Sequence, residues 1–197
     1  AEIQTYNKKL ISVEVIKKIR KTEEKTDVWV LFAPVKKTPT EYIIQKATEL
    51  GASKILPVIT ERTINKNFNL KRFKDIAIEA SEQCERIAIP KIFPIQKLKD
   101  LIDTWDGKRT IYYGDETIRN EKKFNEDSNK LYTKSCGSIL VGPEGGFSTR
   151  EIGYLRQKEF VIPINFGPRI LRSDTAVVCG LVFWHLINGD MKQYYKN

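Results

Sequence analysis

The chain has 197 residues, 41% of them hydrophobic, and a formal net charge of +9 at pH 7. This length supports one good-sized domain, and no apolar run is long enough to cross a bilayer. The positive charge favours a polyanionic partner such as nucleic acid; a basic surface kept for solubility is the alternative. Cys84, Cys136 and Cys179 fit neither a disulfide framework nor a zinc spacing, which is typical of a reducing cytoplasm.

The first 25 residues predict a strand, a turn and a second strand with little core of their own. We interpret residues 1–25 as the end of a small N-terminal β-domain and its linker. The chain starts at Ala1 in a strand-like register, without the charged, apolar and small pattern of a signal peptide. We therefore expect no signal peptide and expect a further segment upstream of Ala1.

From Val28 onward, strands and helices alternate, which predicts an α/β domain over residues 26–197. Thr38, Pro39 and Glu41 predict a capping box for the first helix, and Ser148 with Glu151 predicts another. Residues 115–135 are polar without periodicity and predict a loop or insertion. The predicted strands span 28–32, 55–59, 91–93, 110–113, 138–141 and 160–164, and the predicted helices span 38–50, 70–86, 98–105, 148–158 and 174–188.

The last predicted helix, Asp174 to Asn188, is apolar nearly all round. Such a helix must be covered on more than one side, either by a second copy of the chain or by a fully internal position. His185, the single histidine, lies among large apolar residues of this helix. We interpret it as a packed or interface histidine, since one imidazole offers little to a zinc site or a catalytic triad.

Two glycine-proline turns, at 142–148 and 166–176, each follow an apolar run and lead into a predicted helix. The first turn has neither the lysine of a P-loop nor the spacing of a dinucleotide-binding motif. Its proline fixes φ, and its paired glycines let a ligand approach the backbone closely, although a tight turn alone has the same composition. In the second turn, Arg169 and Arg172 precede a helix N-terminus, which favours negative charge. Together the turns predict one pocket for a small polar ligand.

These motifs resemble those of the bacterial 16S ribosomal RNA uridine N3-methyltransferase family, in the knotted SPOUT class of enzymes that use S-adenosylmethionine. The resemblance extends from about Phe32 to the last helix. Phe166 departs from the usual leucine of the family, and Ser173 and Asp174 depart from its usual threonine and glutamate. The matching segments are 45–51, 61–62, 79–84 with Arg86, 89–90, 142–148 with Glu151, and 166–176.

The resemblance also changes the expected fold. Strand and helix alternation alone predicts a doubly wound, Rossmann-like sheet, because threaded chains are very rare. The family implies a mostly parallel sheet and a trefoil knot, in which the C-terminal helix passes through a loop. It further implies that residues 1–25 are the remnant of a PUA-like RNA-binding barrel.

The implied activity is methyl transfer from S-adenosylmethionine to N3 of a uridine in 16S rRNA of the small ribosomal subunit. The implied enzyme is a cytoplasmic homodimer, paired through its C-terminal helix, that needs no metal. The residues implied to hold the cofactor are Gly142, Pro143, Glu144, Gly145, Gly146, Phe166, Gly167, Ile170, Leu171, Arg172, Thr175 and Ala176. Those expected to contact RNA are Lys36, Arg62, Arg86, Arg169 and Arg172.

Arg172, Glu144 and Asp174 are the candidate catalytic residues, with the general base left open between the two acids. Two other functions compete with this one. The chain could methylate a different RNA nucleotide, or it could be an inactive RNA-binding or ribosome assembly protein. A hydrolase is disfavoured, since the sequence offers no plausible pair of nucleophile and histidine.

Overall fold

A computed structural model describes residues 1–20, 26–118 and 136–194. Most of the predicted loop at 115–135, and the end of the predicted N-terminal segment, lie outside this range. The strands are β1 Glu2–Tyr6, β2 Ile11–Glu14, β3 Asp27–Phe32, β4 Lys54–Ile59, β5 Lys91–Ile92, β6 Gln96–Lys97, β7 Thr110–Gly114, β8 Cys136–Val141 and β9 Val161–Ile164. The α-helices are α1 Lys37–Glu49, α2 Leu70–Gln83, α3 Leu98–Asp103, α4 Thr149–Arg156 and α5 Ser173–Ile187.

A parallel sheet of seven strands forms the centre of the molecule. Its order is β5-β4-β3-β8-β7-β9, and the short β6 pairs with the end of β4. The chain passes from β3 outward to β4 and β5, crosses to β7, and then returns to place β8 between β3 and β7. Ile139 of β8 is therefore in register with Val30 on one side and Tyr112 on the other. The predicted α/β class and parallel sheet are confirmed.

The two faces of the sheet carry separate hydrophobic clusters. Successive strand residues alternate between them, so Val30 and Phe32 belong to one cluster and Leu31 to the other. The first cluster includes buried residues of α1, α2 and α5, and the second includes those of α3 and α4. Each fully buried aliphatic side chain contributes roughly 1.5–3 kcal/mol to this core.

The predicted capping box at Thr38 is wrong, because α1 begins at Lys37 and its N-cap, Lys36, makes no side-chain capping bond. The start is fixed instead by Thr40, whose hydroxyl accepts from the Val35 amide at 3.1 Å and lies 3.2 Å from the Val35 carbonyl. Pro39 therefore lies within the first turn, where amides have no intrahelical acceptor and its missing N–H costs nothing.

Helix α2 ends at Gln83, three residues before the predicted end. Glu85 has a left-handed φ of 56°, which stops the helix. The Arg86 amide then donates to the Ser81 carbonyl and the Glu85 amide to the Glu82 carbonyl, the pattern of a Schellman motif. Smaller differences are the earlier ends of α3 and α4, and β6, which the sequence did not predict.

The predicted strand-turn-strand at the N-terminus is confirmed as the antiparallel hairpin of β1 and β2. Every described residue of this hairpin is exposed. Within the described part of the chain, neither core cluster contains a residue of the hairpin. The hairpin is therefore not part of the parallel sheet or its core.

Helix α5 packs against α1, β3 and β8, and against the short segment Asp190–Tyr194 that follows it. Phe183 and Leu186 of this helix are 37% and 40% exposed, which contradicts the fully internal alternative. His185 is buried, with Nε2 at 2.7 Å from the Leu50 carbonyl oxygen and Nδ1 at 2.8 Å from Asp190. Its predicted role as a packed histidine is confirmed.

Gly180 allows α5 to approach the sheet closely, since a Cβ there would lie 2.7 Å from Cγ2 of the buried Ile139. We expect Gly180→Ala to lower the free energy of unfolding by about 1–2 kcal/mol, because overpacking outweighs the ~1 kcal/mol gain in helix propensity. Gly153→Ala in α4 is the control, with no atom within 4 Å of the added Cβ. Urea denaturation should show that only Gly180→Ala destabilises the protein; equal stability of both variants would contradict this packing.

Candidate functional site

A pocket lies at the carboxyl ends of β7, β8 and β9, where the loops after these three strands meet. It encloses about 720 Å³, including space open to solvent. The carboxyl edge of an open parallel sheet is where such folds bind ligands. Both predicted glycine-proline turns contribute to this pocket, as the sequence predicted.

Of the predicted cofactor residues, the structure brings eight to the wall of this pocket and leaves four outside it. Those on the wall are Gly142, Pro143, Gly146, Phe166, Gly167, Ile170, Leu171 and Ala176. Glu144, Gly145, Arg172 and Thr175 are exposed and do not line it. The two turns thus provide the wall mainly through glycines and apolar side chains.

The first turn requires glycine at two of its positions. A Cβ at Gly142 would lie 3.1 Å from the ring of Phe147, which is buried beneath the turn. Gly146 has a φ of +67°, and a Cβ there would lie 2.8 Å from Oε1 of Glu116. Its amide closes the turn by donating to the Pro143 carbonyl at 2.9 Å. A side chain at either glycine would therefore fill or distort the pocket wall.

The first turn is held by the start of α4. The predicted capping box is confirmed: the Ser148 hydroxyl accepts from the Glu151 amide, and the Glu151 carboxylate accepts from the Ser148 amide. The second oxygen of Glu151 accepts from the Glu61 amide at 2.9 Å. Arg62 donates to the Gly145 carbonyl at 2.6 Å. The loop after β4 and the first turn therefore form one bonded unit.

The second turn is bonded to both neighbouring loops. Gly167 has a φ of +102°, and its amide donates to the Asn165 side chain at 2.8 Å. The Asn165 amide group donates in turn to the Ile118 carbonyl at 3.2 Å, in the loop after β7. The Ser173 hydroxyl donates to the Gly142 carbonyl at 2.9 Å and so joins the two turns directly.

The loop after β7 supplies two acids that the sequence interpretation missed. The buried Asp115 accepts from Tyr113, Thr117 and Arg156 at 2.6–2.8 Å. Burial alone would raise the pKa of Asp115, but these hydrogen bonds outweigh it and lower the pKa below its ordinary value. Burial and the bond to Asp115 raise the pKa of Tyr113. Asp115 is therefore a fixed carboxylate that supports the loop.

Glu116 is the second missed acid, an exposed residue that lines the pocket opposite Gly146. The sequence contained a signal for Glu116, which closely follows the predicted strand 110–113. Because parallel strands end at a common edge, this position indicates the edge where ligands bind. The sequence interpretation assigned residues 115–135 to a loop or insertion, so Glu116 was not among its candidate site residues.

The two candidate bases lie outside the pocket wall. Glu144 is exposed at the tip of the first turn, and Asp174 is half-buried in the first turn of α5. One carboxylate oxygen of Asp174 already accepts from the Thr175 amide at 2.7 Å. Arg172 is the exposed N-cap of α5, and Arg169, three residues earlier, lies on the pocket wall.

The structure separates Arg86 from the other predicted RNA contacts. Lys36, Arg62, Arg169 and Arg172 are all exposed in the loops that follow β3, β4 and β9, at the carboxyl edge of the sheet. Arg86 precedes β5, where its guanidinium donates to the carbonyls of Thr48, Gly51 and Ala52. These bonds satisfy acceptors at the end of α1, so the structure gives Arg86 a role in the fold.

Neither a metal centre nor a membrane span emerges from the part of the chain that the structure describes. Over residues 1–20, 26–118 and 136–194, no group of three or more histidines, cysteines or acids could hold a metal ion. No described helix is long and apolar enough to span a membrane. All three cysteines are free.

Known proteins resemble this chain over most of its length. Residues 22–184 match the model of the RNA methyltransferase domain family. Ribosomal RNA small subunit methyltransferase E of Buchnera aphidicola subsp. Schizaphis graminum is 34% identical, over 97% of this chain and 78% of that relative. The protein of the same name from Rickettsia conorii is 28% identical, over 98% of this chain and 78% of the relative.

Solved structures share the fold. A Legionella pneumophila protein in complex with the bound cofactor SAM is 28% identical, with a TM-score of 0.67 over 82% of this chain and 66% of that one. Ribosomal RNA small subunit methyltransferase E from Neisseria gonorrhoeae has a TM-score of 0.71 at 24% identity, over 81% and 65%. The predicted family is therefore confirmed, and the chain belongs to the RNA methyltransferases of the ribosomal RNA small subunit methyltransferase E family.

Proposed function

We propose that this chain transfers a methyl group from S-adenosylmethionine to N3 of a uridine in 16S rRNA of the small ribosomal subunit, in the cytoplasm. The observation that carries this proposal is the pocket at the carboxyl edge, which is built from the two turns that bear the family motifs. The net charge of +9 is suited to an RNA substrate. The names of the relatives point to the same class of RNA.

The pocket suits the cofactor in chemistry. Its walls combine backbone turns with the apolar side chains of Val141, Ile164 and Leu171. Glycine turns let a ligand bind the main chain directly. Glu116 adds a negative charge on the wall, opposite in sign to a sulfonium and an ammonium. When bound, the cofactor supplies a methyl group on a sulfonium with a good leaving group.

Arginines at the pocket would stabilise the reacting base. Methylation at N3 requires loss of the N3 proton, which places negative charge on the uracil oxygens. Arg169 lies on the pocket wall with an exposed side chain, so its guanidinium can reach such an oxygen. Arg172 and Lys36 would contact RNA phosphates nearby. Glu144 and Asp174 are kept as the two candidate acceptors of the proton.

We also propose the homodimer through α5 and the trefoil knot. An apolar face of α5 has no cover in the single chain, and a second copy would bury it; the face consists of Val182, Phe183 and Leu186.

For the knot, the supporting observation is the path of the second turn, which leads from the edge strand β9 back to β8, where Ser173 bonds to Gly142. The exposed apolar residues of the β1–β2 hairpin support its assignment to a PUA-like barrel.

The activity is tested by incubating the protein with methyl-labelled S-adenosylmethionine and small subunits that lack the modification. Digestion to nucleosides should then yield labelled 3-methyluridine. Label on another nucleoside would assign the chain to a different RNA methylation. Cofactor binding without any label would favour an inactive RNA-binding or assembly protein.

For cofactor binding, we expect Glu116→Gln to weaken the affinity for S-adenosylmethionine by about fivefold, the effect of losing one partly solvated charge pair worth about 1 kcal/mol. Glu144→Gln is the matched control, since Glu144 is exposed and does not line the pocket. Isothermal titration calorimetry measures both. An equal loss in the two variants, or none in Glu116→Gln, would remove Glu116 from the site.

For the dimer, we expect Phe183→Glu to produce monomers, because a charge cannot be buried in an apolar interface without a partner. Ile78→Glu on α2 is the control, because Ile78 lies outside the proposed interface and its side chain is about as exposed as that of Phe183, at 42% against 37%. Light scattering after size-exclusion chromatography gives the mass of each. A Phe183→Glu protein with the same mass as the unmodified chain would contradict the interface.

A further inference from the structure

Ile64 is the most exposed large hydrophobic residue of the described chain, at 93%. It lies in the loop between β4 and α2, residues 60–69. Further along the same stretch, Phe68 and Leu70 turn inward and pack against the core cluster. The chain therefore buries other apolar side chains of this stretch and leaves Ile64 in solvent. Single exposed apolar residues are common, so the position of this one must carry the inference.

The backbone on both sides of Ile64 is fixed by hydrogen bonds. Thr60 and Thr63 are buried; the Thr60 amide donates to the Thr63 hydroxyl at 2.8 Å, and the Thr63 amide donates to the Thr60 carbonyl at 3.2 Å. On the other side, Asn65 donates to the Val35 carbonyl at 2.8 Å. The loop is thus bonded to the main body of the protein and presents Ile64 at a defined place.

The loop that carries Ile64 is bonded to the first turn, part of which lines the pocket. Arg62, two residues earlier, donates to the Gly145 carbonyl of the first turn at 2.6 Å. Ile64 lies in the sequence between Arg62 and Lys66, which are both exposed. Cations suit the phosphates of an RNA strand, and an apolar side chain suits its base faces. Ile170, the other exposed isoleucine at this edge, already belongs to the pocket wall.

We propose that Ile64 is a positioning residue that inserts into the RNA base stack and fills the space left by the target uridine. This inference rests on the proposed function. N3 lies on the Watson–Crick edge of uracil, so a stacked or paired uridine must turn out of its strand before it reaches the pocket. Apolar side chains inserted between bases offset the loss of stacking in other nucleic-acid complexes. Arg62 and Lys66 bind the phosphates on either side of the opened step.

The first test compares Ile64→Ala with Ile64→Leu and with Ile78→Ala, a control at an exposed isoleucine of α2. The readout is the single-turnover rate of methylation of unmodified small subunits at saturating enzyme, with cofactor affinity measured in parallel. Ile64→Ala should lower the rate at least tenfold and leave the affinity for S-adenosylmethionine unchanged. Ile64→Leu and Ile78→Ala should stay within about twofold of the unmodified protein.

The second test uses small subunits reconstituted with 16S rRNA in which the nucleotide stacked on the target is abasic. Because the target is then already unstacked, Ile64→Ala should regain most of its rate. An unchanged rate for Ile64→Ala on natural subunits, or an equal loss on both substrates, would overturn the insertion role alone. Failure of the unmodified protein to form 3-methyluridine would instead overturn the proposed function, and this inference with it.

Discussion

The position of β8 between β3 and β7 is the constraint on which the rest of the structure depends. Because β8 pairs in parallel with both neighbours, its carboxyl end emerges at the middle of the sheet edge. The first turn must leave from that point, and the second turn must return to it from β9. The bond from Ser173 to the Gly142 carbonyl is the contact that fixes this return. Pocket, α5 and the exposed arginines all follow from these two steps.

Local sequence pattern predicted the elements but not their order in the sheet. Val28–Phe32 and Ile55–Ile59 were recognised as strands from their buried, β-branched composition, which depends on nearest neighbours only. The insertion of β8 between two earlier strands is a property of tertiary pairing, so alternation alone pointed to a doubly wound sheet. The two capping boxes show the same limit. Ser148 caps α4 as predicted, whereas the hydroxyl of Thr40 bonds to Val35 and moves the start of α1 to Lys37.

The site residues show the same difference between what local sequence predicts and what tertiary packing decides. Gly142, Gly146 and Gly167 were predicted because each belongs to a glycine-proline turn that can be recognised from the local sequence alone. The position of Glu116 just after a predicted strand indicates the sheet edge, but its place on the pocket wall depends on the neighbouring loop that approaches it there. Arg86 was assigned to RNA from charge and motif, yet its guanidinium is occupied by three carbonyls at the end of α1. Charge in a sequence indicates a partner, but only packing shows whether that partner is the protein itself.

Charge and rigidity at the carboxyl edge complement each other. A basic surface alone binds RNA without selecting a nucleotide, because phosphate contacts carry no sequence information. Here the loop after β4 is bonded to the first turn through Arg62 and through Glu151, so any strand held on this loop is held at a fixed distance from the pocket. Fixed distance is what turns general attraction into the placement of one base, since methyl transfer requires near-attack geometry. On the proposed function, the hydrogen bonds of Arg62 and Glu151 would therefore hold a bound RNA strand in fixed register with the pocket.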